Sequence, residues 1–93
     1  GPSGSPRARV RHLVEAFARA WTAAGHPVLA GPTLHDWTLG LLVALRLRDQ
    51  GRQWQRFVKD WLADRVAPDE LRAVAADGLT VWLEVVAAAA QAS

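Results

Sequence analysis

The sequence predicts an all-α fold: a compact bundle of four helices, or five if the last one breaks, with mainly antiparallel neighbours. Apolar residues recur at i, i+3, i+4 and i+7 through most of the chain, the spacing of one helical face rather than the alternation of a strand. Glycine and proline fall between these periodic stretches, where helices stop and start. Hydrophobic residues make up 51% of the 93 positions. That share excludes wholesale disorder and, at this length, supports a single core.

The opening GPSGS reads as a protease-cleavage scar and linker, so residues 1–6 are expected to form a flexible arm and 7–92 a single helical domain. The chain contains no methionine, which adds the expectation of a domain excised from a larger protein. Val10, Leu13, Val14, Phe17, Trp21 and Ala24 share one face and predict a first helix over 7–24, with His12, Glu15 and Arg19 on the polar side. Gly25 and Pro27 then supply a C-terminal cap and a stop.

The run GHPVLAGP at 25–32 is a loop by its punctuation. Thr33 and Asp36 stand at capping-box spacing, which predicts a second helix over 34–49 ending near Gly51. Gly40 inside it costs roughly 1 kcal/mol relative to alanine and marks a close helix contact. The third helix is expected over 52–66. Pro68, followed by Asp69 and Glu70, suits the first turn of a fourth, where the positive end of the dipole favours acids. From Leu71 through Ala75, Trp82, Val85 and Ala89 one seam continues to the C-terminus. This favours one long helix, with Asp77-Gly78 as the place where it would bend or break.

The segment QWQRFVKDWLADR at 53–65 mixes aromatic and basic residues, as a surface that stacks bases and holds phosphates would. At about 100° per residue, however, Trp54, Phe57, Val58, Trp61, Leu62 and Arg65 fall on one face, and Arg52, Arg56 and Lys59 on the other. The aromatic side is therefore expected in the core, where the indole N–H groups need acceptors. Arg52, Arg56 and Lys59, supplemented by Arg46, Arg48 and the N-terminal Arg7, Arg9 and Arg11, remain as a candidate contact for nucleic acid or an acidic partner. Asp60 and Asp64 temper that charge. The net charge of the chain is only +2, so no general polyanion affinity is implied.

Chemistry has little raw material. Cysteine and tyrosine are absent and serine occurs only at positions 3, 5 and 93, which leaves nucleophilic catalysis almost without candidates. The three histidines, His12, His26 and His35, lack metal-ligand spacing, and His35 as a phosphoryl acceptor would need a cation that its neighbours do not supply. The expectation is therefore no enzyme, with no catalytic, cofactor or metal residues and no evident small-molecule substrate. The lack of cysteine fits a reducing, cytoplasmic location. No apolar run reaches the ~20 residues of a membrane span.

The second helix and the C-terminal one are apolar nearly all round, and such helices are buried on several sides. Either the second helix threads the middle of the fold, or a partner covers the surplus. The second alternative leads to the expected function: a non-enzymatic protein-interaction or oligomerisation module, meeting a protein partner or a second copy, preferably as a homodimer. Its contacts are expected at Leu39, Val43, Val81, Leu83 and Val86, which the helical wheels place off the internal seam. The alternative function is DNA binding through the basic face of the third helix. The apolar VWLEVV at 81–86 does not suit a recognition helix.

Overall fold

In the computed structural model, which describes residues 5–92, the helical periodicity resolves into five α-helices: α1 Pro6–Ala23, α2 Gly31–Asp49, α3 Gln55–Ala63, α4 Pro68–Asp77 and α5 Leu79–Ala92. Most of the expected scar, residues 1–4, lies outside the described residues. Ser5 and Pro6, assigned above to a flexible arm, instead start α1. The Ser5 hydroxyl accepts the Ala8 backbone N–H at 3.1 Å, and Pro6 occupies the first helical position, where its missing N–H costs nothing.

Two helices end in the same way. At the end of α1, Gly25 N–H donates to Thr22 O at 2.9 Å and His26 N–H to Trp21 O at 3.4 Å. At the end of α2, Gly51 N–H donates to Arg48 O and Arg52 N–H to Leu47 O, both at 2.9 Å. These are Schellman caps, and each turns on a glycine at positive φ: 88° at Gly25 and 71° at Gly51. The second cap explains why the third helix starts later than its periodicity suggests. Arg52 is spent on reversing the chain, so α3 begins at Gln55 with Trp54 as its N-cap residue.

The second helix starts earlier than expected, at Gly31 rather than Leu34. Pro32 in the first turn is already suited to a helix start, and Ala30 takes the extended cap conformation. Thr33 is thus inside the helix and its capping box is not used. The C-terminal seam does break: Gly78 adopts φ 90° and ψ 122°, and α4 and α5 diverge by 82°.

The core is built around aromatic rings. Phe17 lies 6.0 Å from Trp21, 6.3 Å from Trp37 and 5.3 Å from Trp82 between ring centroids, so α1, α2 and α5 share one cluster. Leu41, Val58, Leu62, Val74, Leu83 and Val86 complete it, all fully buried. α2 packs against α1, α3 and α5, whereas α4 packs mainly against α3 and α5. The helix that is apolar all round is therefore the middle of the fold. Its surplus apolar surface is mostly consumed inside one chain.

Gly40 marks a close contact, as its position in α2 suggested. A Cβ there would stand 2.8 Å from Cδ1 of Trp61. The Trp61 ring lies against this gap, donates its indole N–H to Asp36 O at 3.2 Å and carries the Arg65 guanidinium 3.6 Å above its centre. Phe57 stacks on it at 5.9 Å. Trp54 is buried as expected, but Phe57 and Trp61 are only half-buried, because α3 contributes one edge of the bundle rather than a central helix.

Candidate functional site

The five residues expected to meet a partner divide into two groups. Leu83 and Val86 are fully buried in the chain's own core, so they cannot be surface contacts. The wheel placed them off a seam drawn for one long helix through 68–91; once the chain turns at Gly78, α5 packs on both α1 and α2, and a wider sector goes inside. Val81, by contrast, is 52% exposed and Val43 41% exposed, and Leu39 is half-buried on α2. Val81 shares its exposed face of α5 with Thr80, Glu84 and Ala88.

The basic residues expected on the third helix are all exposed. Only Arg56 and Lys59 belong to α3, since Arg52 lies in the turn before it. Asp60 stands one helical turn beyond Arg56 and is also exposed. The aromatic neighbours Phe57 and Trp61 stack on one another, so this surface offers charge without a free platform for bases. Arg48 is taken out of the basic set by Glu84, to which it donates at 2.5 Å.

The histidines have separate environments. His26 stacks on Trp21 with centroids 4.0 Å apart, and its Nε2 lies 2.5 Å from Asp77 Oδ2, which joins the α1–α2 loop to the end of α4. His12, expected on the polar face, is half-buried, and its Nε2 has no protein partner among the described residues. α1 is covered by both α2 and α5, so its inward sector is wider than a single stripe. His35 is exposed. No group of three or more His, Asp or Glu side chains among the described residues is arranged to hold a metal. No single helix there is long and apolar enough to cross a membrane.

A furrow runs along the N-terminal half of α1. One part, of about 710 Å³, has Val10 and Val14 as apolar floor, with Arg7, Arg11 and Glu15 on the α1 side and Gly31 and His35 at the start of α2. A second part, of about 320 Å³, runs between Arg9 and Leu13 of α1 and Leu42 and Arg46 of α2. Pro6 and Val10 line both parts, so the two adjoin along α1. Sequence reasoning missed this feature because it counted Val10 and Val14 as core residues and weighed Arg7, Arg9 and Arg11 only as a supplement to the basic face of the third helix.

No protein-family model, curated protein or solved structure matches this chain.

Proposed function

We propose that the chain is a non-enzymatic association module that meets a second copy of itself or another protein through the outer faces of α2 and α5. The observation that supports this reading is the placement of exposed apolar side chains. Among the described residues three large ones are strongly exposed, Val28, Val43 and Val81; Val28 is in a loop, and the other two lie on the two helices that are apolar all round. Burying such side chains is the main source of association free energy, roughly 1.5–3 kcal/mol for each one fully covered. Polar neighbours such as Arg46 and Glu84 would set orientation.

Light scattering coupled to size exclusion over a dilution series tests it. The wild-type chain should show a concentration-dependent mass above that of a monomer, and Val43→Glu with Val81→Glu should reduce it to monomer with helicity unchanged. Leu83→Glu should instead unfold the chain, because that position is internal. A wild-type chain that stays monomeric at all concentrations would remove self-association and leave the same faces to a different protein. Retention of the oligomer in the double variant would remove these faces. Binding of DNA that is lost in Arg52→Glu, Arg56→Glu and Lys59→Glu and falls steeply with salt would favour the nucleic-acid reading instead.

A further inference from the structure

The furrow concentrates positive charge that the rest of the molecule lacks. Its walls carry Arg7, Arg9, Arg11 and Arg46 against a single acid, Glu15, a formal +3. The whole chain has 11 basic and 9 acidic residues, a net +2, so everything outside the furrow sums to −1. The ion pairs among the described residues are His26–Asp77, Arg48–Glu84 and Arg72–Asp69, and none of them involves a furrow arginine. Arg7 and Arg9 also sit in the first turn of α1, at the positive end of its dipole, where a cation is disfavoured. The chain thus holds unneutralised charge where its own electrostatics oppose it, beside an apolar floor.

We propose that this furrow docks an acidic amphipathic helix from a partner protein. Apolar side chains of that helix seat on Val10, Val14 and Leu42, and carboxylates on its flanks pair with the arginines. The dimensions fit: Pro6 to Glu15 spans nine helical rises, roughly 14 Å, the length of two to three turns of a partner helix. The volume of the main part lies within the ~300–1,000 Å³ of ordinary ligand sites, which accommodates several side chains. A protein segment is favoured over nucleic acid because no tryptophan, tyrosine or phenylalanine lines the furrow as a platform for successive bases. It is favoured over a membrane surface because the apolar residues lie in a concave floor, whereas an interfacial helix presents them outward. The proposal goes beyond the association reading and uses none of its apolar contact residues; Arg46 is common to both, and the place of the amide shifts, on Val10, Val14 and Leu42 or on Val43 and Val81, tells the two apart.

A phage-displayed library of helical peptides, selected on the wild-type chain and counter-selected on Arg7→Glu/Arg11→Glu/Arg46→Glu, tests the proposal with no partner chosen in advance. The expected result is enrichment of peptides with apolar residues at i, i+3 or i+4 flanked by Asp and Glu. Their binding, read by fluorescence anisotropy, should weaken at least about tenfold in the charge-reversed variant and fall with added salt. Amide shifts in NMR spectra should centre on Val10, Val14 and Leu42, and the Arg→Gln triple variant should give an intermediate loss while keeping the wild-type spectrum elsewhere. Enrichment without acidic residues, indifference to charge reversal, failure to enrich any peptide, or shifts centred on Val43 or Val81 would each overturn the proposal. Tighter binding of an oligothymidine or of anionic vesicles than of any selected peptide would do so too, by assigning the charge to a polyanion or a lipid surface.

Discussion

Three of the five tryptophans do the same packing work with different polar outcomes. Trp21, Trp37 and Trp82 are all buried in one ring cluster, yet only Trp21 has its indole N–H satisfied, by Pro27 O at 2.6 Å. The Nε1 atoms of Trp37 and Trp82 find no protein acceptor among the described residues. Exchange to phenylalanine removes similar volume at Trp21 and Trp37, but it breaks a hydrogen bond at the first and removes an unpartnered buried N–H at the second, and the two effects add in the difference between the variants. Trp21→Phe should cost about 1 kcal/mol more than Trp37→Phe in urea unfolding; equal losses would show that the bond to the loop contributes nothing. Gly40 offers a second residue-scale test. Alanine gains about 1 kcal/mol of helix propensity, but its Cβ meets a rigid indole at 2.8 Å, and overpacking costs typically ~1–3 kcal/mol. Gly40→Ala should therefore lower the unfolding midpoint, and a raised midpoint would mean that Trp61 yields freely.

Helix ends decide the element boundaries more firmly than hydrophobic spacing does. Ser5, Gly25, Gly51 and Gly78 all act at ends, by a side-chain cap or a positive φ. Periodicity cannot see this, because Trp54 continues the apolar face of α3 and Arg52 its basic face while the backbone around them is still reversing. At Gly78 a similar break separates α4 from α5, and only that turn lets Leu79, Trp82 and Leu83 reach the core. The start of α1 carries a specific expectation. Because Arg7 is exposed at the positive end of the helix dipole, Arg7→Glu should raise stability by about 0.3–1 kcal/mol at low salt. A thermal melt checks it, with the gain shrinking as salt is added; destabilisation would mean that Arg7 has a favourable partner within the fold.

At the scale of the molecule, one question governs how apolar surface is shared between the chain and its surroundings. α2 is enclosed by α1, α3 and α5, which accounts for a buried sector wide enough to take in Thr38 and Gly40 as well as Trp37, Leu41 and Ala44. The radius of gyration, 12.7 Å, is close to the roughly 12 Å expected of a single compact domain of this length. Among the described residues what is left outside is small: Val28 in a loop, Val43, Val81 and part of Leu39 on helix faces, and the furrow floor under its arginines. The association test therefore separates two kinds of variant. Glutamate at Val43 and Val81 should change mass and leave the melting curve nearly as it was, while glutamate at Leu83 should abolish the cooperative transition.

Helical class, the first three helices and the tryptophan-rich core follow from the sequence by itself, because spacing, caps and prolines act within a few residues of each other. The close contact at Gly40 is legible for the same reason: glycine inside a strong helix pattern has no local use. Which side of an all-round apolar helix is covered is not local information. Leu83 and Val86 look as available as Val81 on a wheel, and only the packing of α5 against two helices at once, after the turn at Gly78, separates them. The furrow arises likewise from tertiary structure, since Val10 and Arg46 meet only when α1 lies along α2. Sequence periodicity tells which side chains must leave water; the directions from which neighbouring helices arrive decide which of them the chain covers for itself.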